Sequence, residues 1–279
     1  MKAVVSWPEE VDQVLAGDQA IALAHRTPAG GVVLSPVTNF AARDSDACTV
    51  TVNSSVGMWK KLARLRQDPE VALAFHTREH AVSRRPEYVL VQGRASLSSL
   101  SEPDAWQELL GESWERFGGQ PREVGRLWER WLRAYHWRVN IQIAVERIVV
   151  WRDLRCLGRP EVHGGPLPED PPAPQKPPAG GTGPRMDHGR AAKLIRCLPN
   201  VLLGWVGADG LPVVVAVGVA GVEPTGIGLE VPEGVVPPGG RRAGLLAHWF
   251  SRHVVGQRQR KHTGWLEARG EGGSVIYAP

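Results

Sequence analysis

The chain has 279 residues, 42% hydrophobic and 22% charged, a globular composition that excludes a fibrous or wholly disordered protein and allows two ordinary domains. Its net charge is +4, but only six of the 33 basic residues are lysine, and with abundant Gly, Ala, Val and Pro this reads as compositional habit rather than a nucleic-acid footprint. Cys48, Cys156 and Cys197 lie far apart without a C-x-x-C pair, which argues against a disulfide framework or thiolate metal site and fits a reducing, cytoplasmic setting.

The opening MKAVVSWPEEVDQVL has no long apolar core before its acids, so no signal peptide is expected. Pro8 to Ala16 reads as a short helix. Gln19 to His25 and Val32 to Phe40 read as two strands about the turn Thr27-Pro-Ala-Gly-Gly31. A third strand, Cys48 to Asn53, sets Cys48, Val50 and Val52 against Thr49, Thr51 and Asn53. Met58, Leu62 and Leu65 then recur at helical spacing until Asp68-Pro69 stops the helix. Val71 to Phe75 and Tyr88 to Leu97 are two more strands. A helical stripe follows through Val124, Leu127, Trp128, Trp131, Leu132 and Tyr135. Strand character returns from Arg138 to Trp151.

In residues 158–185, Pro and Gly fill 15 of 28 positions, so this stretch is expected to be a semi-rigid linker that adds nothing to a core. Beyond it the pattern repeats. Val201 to Val206, the turn GADG and Pro212 to Val219 match the first hairpin, and Gly226 to Val231 the third strand. Arg241 to Phe250 stands for the short helix, and His262 to Glu267 for the strand holding Gln92-Gly93-Arg94. Asp209 and Pro212 interrupt the apolar run 201–221, which is therefore a hairpin and not a membrane span. The expected organisation is a domain over 1–157, the linker, and a second, degenerate domain over 186–279.

The strongest chemical candidate is the corner Asn53, Ser54, Ser55 followed by Lys60 and Lys61. Unpaired backbone N–H groups, hydroxyls and two cations at a helix start suit a phosphate, because cations there are electrostatically misplaced without an anion. The plainer alternative is a serine cap beside solvated lysines. A second anion candidate is the acid-free run from Arg241 and Arg242 to Lys261, with Trp249 and Trp265 as ring-stacking candidates. His76-Thr-Arg-Glu79-His80 fits an H-x-x-E-H pattern, but on a strand its two histidines would stand about 13 Å apart, so no metal site is expected.

Several of these features together resemble the pyridoxamine 5'-phosphate oxidase-like split β-barrels. They are the element order, the run from Lys60-Lys61 through Asp68-Pro69 to Val71-Ala-Leu-Ala-Phe75, the Val91-x-Gly93-x-Ala95-x-Leu97 strand, and Glu146-Arg-Ile-x-x-Trp151. The resemblance implies a mainly β fold with helices (α+β), two split β-barrel domains packed as an intramolecular pseudo-dimer. It implies FMN, or alternatively the deazaflavin F420 or haem, with the phosphate on Lys60 and Lys61 and the ring along the second strand at Pro36, Val37 and Thr38. The family's basic residue at the start of that strand corresponds to Gly31, and a customary glutamine to Tyr88, so a flavin-type cofactor is expected rather than the pyridoxamine phosphate reaction itself.

The resulting expectation is hydride transfer with an unidentified small molecule, in a monomeric pseudo-dimer or homodimer with no membrane or nucleic-acid partner. The alternative is a non-catalytic module that binds or senses haem, flavin or a tetrapyrrole.

Overall fold

The computed structural model describes residues 5–101, 137–251, 256–269 and 274–279. The helical stripe expected after Ser101 lies outside the described residues. The fold is mainly β, in two antiparallel sheets.

The first half opens with α1 (Glu9–Gly17), whose first-turn acids Glu9, Glu10 and Asp12 complement the helix dipole while Val11, Val14 and Leu15 face the core. Strands β1 (Ala20–Arg26) and β2 (Val32–Thr38) form a hairpin. Gly30 has φ 77° in its turn, a conformation that suits glycine. Next come β3 (Arg43–Asp44) and β4 (Thr49–Ser55), a single 3-10 turn (Val56–Met58) and α2 (Trp59–Gln67). Strands β5 (Glu70–Phe75), β6 (Tyr88–Ser101), β7 (Arg138–Trp151) and β8 (Glu161–Gly164) complete the sheet, ordered β2-β1-β5-β6-β7-β4-β3 with β8 beside β7. Strand β4 begins one residue later than its alternation suggests, because Cys48 has φ 53° and belongs to the preceding turn.

The second half repeats this order. Helix α3 (His188–Arg196) precedes β9 (Asn200–Val206), β10 (Pro212–Ala216), β11 (Gly218–Glu223), β12 (Gly226–Glu230), β13 (Gly239–Phe250), β14 (Gln257–Ala268) and β15 (Val275–Ala278). Their order, β10-β9-β13-β14-β15-β12-β11, is the first sheet's order strand for strand. The internal repeat expected from the sequence is therefore present, with one substitution of element. The stretch from Arg241 to Phe250 is not a helix but most of β13, the counterpart of β5. Its apolar run Leu245-Leu-Ala247 fits either period, and a seat between β9 and β14 pairs its backbone on both edges. Among the described residues of the second half nothing corresponds to α2: residues 231–238, between β12 and β13, hold no helix.

Strand β1 explains how the halves meet. Ile21 and Leu23 point into the first half's own core with Leu73, Phe75, Val89 and Val91. Ala22 and Ala24, on the other face, join Ala72, Ala74, Val32 and Leu34 in one core with Leu202, Leu203, Leu245 and Leu246 of the second half. Small alanines on that face of β1 and β5 let the second sheet approach closely, and the strand is buried on both sides. The proline-rich stretch departs from its expected role. It runs mostly exposed, yet β8 pairs with β7 and Val162 packs against the shared core. Gln175 then ties the halves: its backbone N–H donates to Gly240 O (2.8 Å), its Nε2 to Gly30 O (2.8 Å), and its Oε1 accepts from Arg242 N (2.9 Å).

A buried imidazole pair pins the far side of this interface. His76 Nε2 and His248 Nε2 are 2.6 Å apart, and His76 Nδ1 lies 2.9 Å from Ala74 O. A carbonyl only accepts, so Nδ1 of neutral His76 carries the proton and His248 donates to His76 Nε2. Glu79 accepts from Trp249 Nε1 and His80 meets Phe250 O, so the H-x-x-E-H segment is a clamp on β13. Its residues follow the end of β5 in a loop, rather than continuing the strand.

Gly93 and Gly264 occupy the same place in the two sheets, and a Cβ on either would stand 2.1 Å from a carbonyl oxygen, of Ala144 or Ala278. Gly93→Ala and Gly264→Ala should each destabilise by about 1 to 3 kcal/mol, the usual scale of overpacking; unchanged urea midpoints would refute this. Burial holds His76 down to about 4 and drives His248 lower still. The unfolded chain therefore binds more protons than the folded one, so the pair's contribution is present above about pH 6.5 and is lost as pH falls toward 4. Asp18, held up at about 7 by burial, works in the opposite sense. The diagnostic is consequently a difference: His76→Gln should show less loss of stability between pH 7 and 5 than the wild type.

Candidate functional site

The corner between β4 and α2 is built as its residue types suggest, with roles divided among them. Ser55 caps the 3-10 turn, its Oγ accepting from Gly57 N at 3.2 Å, and Asn53, Ser54 and Ser55 are buried. The two lysines part company. Lys60 is exposed, its ammonium 5.5 Å from the centre of the Trp59 ring. Lys61 turns inward and is half-buried. Loss of hydration first, then the positive charges of Lys261 on β14 and Arg138 on β7, bring it down to about 8. Lys261 is also lowered by desolvation. These cations converge from three elements of both halves, and none of the influences on Lys61 comes from a carboxylate.

A cleft of about 650 Å³ lies between the halves, within the range of small-molecule sites; its described lining includes Arg64 of α2 but not Lys61 or Lys261. One wall is the β1–β2 turn with Val32 and Val33, the other is Arg242 on β13 with Thr263 and Trp265 on β14, and the proline-rich stretch closes an edge through Pro178 and Arg185. Arg64, one turn beyond Lys61 on α2, reaches the same cleft, and no Asp or Glu lines it. The Arg242 guanidinium carbon lies 6.0 Å from the centre of the Trp265 ring.

The expected residues divide accordingly. Lys61 and Arg242 lie at the corner and the cleft respectively. Arg241 does not join them: it is buried, and its guanidinium donates to the carbonyls of Pro172 (3.1 Å), Pro237 (3.4 Å) and Pro238 (2.5 Å), because strand alternation turns it to the opposite face from Arg242. On β2, Val37 packs into the first half's core, and the cleft is lined by Val32 and Val33 rather than by Pro36 or Thr38. Trp249 is engaged by Glu79, whereas Trp265 lines the cleft. Arg138, Arg185 and His25 are additions that only the tertiary structure makes. Arg64, three residues after Lys61, is a further addition, legible from helical spacing.

The sheets' pseudo-twofold relation generates a second, equivalent interface, where β10 meets β5 and β6. That one is filled. Gln92 Nε2 donates to Pro212 O (2.7 Å) and its Oε1 accepts from Arg147 Nε (2.7 Å). Arg147 also reaches Asp209 (2.6 Å) and Pro166 O (2.5 Å), and Tyr88 Oη donates to Val214 O (2.8 Å). With Gly93 and Gly264 equivalent, the seat of Gln92 is occupied in β14 by Thr263, a side chain too short to span the gap. The open cleft and the closed one thus differ by the length of a few side chains.

An unpaired, half-buried cation weakens the ligand-free fold. Lys61→Met should therefore raise stability by about 1 kcal/mol in ligand-free urea unfolding while abolishing any stabilisation by added phosphate. A less stable Lys61→Met protein would show that Lys61 has a partner within the fold.

No family model matches the sequence, and no curated protein matches it. Solved structures do. A conserved hypothetical protein from Mycobacterium tuberculosis is similar over 58% of this chain and 94% of its own, at 22% identity and TM-score 0.37. An F420 reductase is similar over 51% and 98%, at 17% identity and TM-score 0.36. A putative pyridoxamine 5'-phosphate oxidase from Listeria innocua is similar over 52% and 98%, at 17% identity and TM-score 0.32. Each covers about half of this chain, and the likeness is one of fold.

Proposed function

We propose that the chain binds one phosphate-bearing flavin or deazaflavin between its halves, FMN in the first instance, and acts as an oxidoreductase on a small molecule. The observation that carries this reading is the convergence of Lys61, Arg138 and Lys261 on the β4–α2 corner, without a carboxylate among the influences on Lys61, at the side of a 650 Å³ cleft. The residues fit the group: Lys61 and Lys261 would hold its phosphate, while Val32, Val33 and Trp265 offer apolar and aromatic surface for a flat ring. When bound, such a cofactor supplies hydride transfer, and the protein's part is binding, orientation and exclusion of water. Arg64, Arg185 and Arg242 bias the cleft toward anionic molecules. Haem is not favoured, because none of the described cleft-lining residues is a His, Cys, Met or Tyr able to ligate its iron.

Titration of the purified full-length chain with FMN, followed by flavin absorbance and fluorescence, should saturate at one per chain. Lys61→Ala should weaken binding by about 1 to 3 kcal/mol, roughly five- to 150-fold, with Lys60→Ala close to wild type. Failure to bind either FMN or F420 overturns the proposal. Two equivalents per chain would show that the Gln92–Arg147–Asp209 network does not close the second interface. Turnover of bound cofactor with a reductant and an acceptor separates an enzyme from a carrier.

A further inference from the structure

His25 is the anomaly of the first half. It stands on β1 in the series Ile21, Leu23, His25, which shares one face of the strand by alternation, and it is as buried as they are, at 1% exposure. Its partners in register are Val33 on β2 and Val71 on β5, so a leucine would suit the position as well as at Leu23. Both its ring nitrogens are nevertheless buried without a hydrogen-bond partner. Leaving such a group unsatisfied costs about 1 to 3 kcal/mol, so an orphan of this kind calls for an explanation.

Its surroundings supply one. Burial first, then the charges of Lys61, Arg64 and Lys261, hold the imidazole neutral and bring it down to about 3. Asp68 and Glu70, which flank its register partner Val71 on β5, are taken up by Arg26 and Arg94. Val33, beside His25 across the hairpin, lines the cleft, as does Arg64. An unpartnered imidazole therefore sits under the same cations that form the anion corner.

We propose that His25 is a ligand-contacting residue of that corner, hydrogen-bonding the anionic group of the bound molecule and taking up a proton as it does so. This rests on the reading of the corner given above and adds a residue and a linked proton to it. The physical basis is reciprocal: an anion that offsets Lys61, Arg64 and Lys261 removes the repulsion that keeps His25 neutral, so ligand and proton favour each other. Between the free and bound titration points, affinity must rise as pH falls, by no more than tenfold per unit for one proton. Lys61 contributes uptake only near pH 8 and above, and because His262 beside Lys261 is also lowered by burial with its Nε2 unpartnered, the comparison with His25→Gln is what assigns the uptake between pH 7 and 5.

The test uses sulfate on the full-length chain, because its charge is constant across this range. Calorimetry at pH 5, 6, 7 and 8, in two buffers of different ionisation enthalpy at each pH, gives both affinity and protons taken up. The wild type should bind more tightly toward pH 5 with net uptake, and His25→Gln should bind with no uptake between pH 7 and 5. The imidazole nitrogen shifts of wild-type His25, with and without sulfate, read the same proton without any substitution. Sulfate binding with no uptake, or with equal uptake in His25→Gln, overturns the role of His25 and leaves the corner standing. Absence of sulfate binding at every pH overturns the corner and this inference together.

Discussion

The structure depends on a close approach between two sheets that are the same fold twice over. At the centre of the contact, strand β1 and its neighbour β5 place alanines toward the second half, at Ala22, Ala24, Ala72 and Ala74, while Arg26 at the end of β1 reaches Gly210 O (3.3 Å). The leucines of β9 and β13 therefore come within packing distance, and a single apolar core runs through both halves. Larger residues on that face would hold the sheets apart. The cleft would then be open water, and Lys261 and Arg242 could not come beside α2. At the far side, His76 and His248 are both buried and pair with each other through their Nε2 atoms.

A repeated fold closing on itself would be expected to make two equal sites. The two interfaces differ here, for reasons of side-chain length and local structure. Among the described residues, α2 has no counterpart in the second half, so a helix start stands at one interface and not at the other. At the other, Gln92 and Arg147 reach across and are satisfied by Pro212, Asp209 and Pro166. That network closes the gap with hydrogen bonds to neighbours that are themselves fixed, whereas Thr263 in the equivalent seat leaves the cleft open. One half thus supplies the anion corner and the other supplies most of the opposite wall.

At the open interface, buried ionisable groups lie among like charges. Lys61 is drawn down by burial and by other cations, and His25 is buried without a partner among the same charges. Both arrangements weaken the fold in the absence of an anion, and both are relieved by one. Arg78 and Asp18 show the contrast elsewhere in the same half: a buried charge with its counter-charge 2.8 Å away.

Much of this was legible in the residues. Alternation and turn chemistry located the first hairpin's strands to within a residue or two, because period-two burial and positive-φ glycines leave a strong local signature; in the second hairpin the returning strand stops at Ala216, and Val219 belongs to β11 instead. The repeat was visible because each half must cover the same kind of core with the same order of elements. Lys61 was legible as a cation placed against the helix dipole. What the sequence left undecided was wherever local pattern is degenerate and a partner distant in the chain makes the choice. The run Leu245-Leu-Ala247 suits a helix or a strand, and its two neighbouring strands decide. Arg241 and Arg242 are alike in composition, and only the strand's alternation sends one to proline carbonyls and the other to the cleft. Lys60 and Lys61 are equally basic, and the packing of α2 on β6 and β1 turns one inward and leaves the other in water. His25 reads as an ordinary core residue until the fold brings three cations from two other elements to its side, since long-range electrostatics has no signature in local spacing.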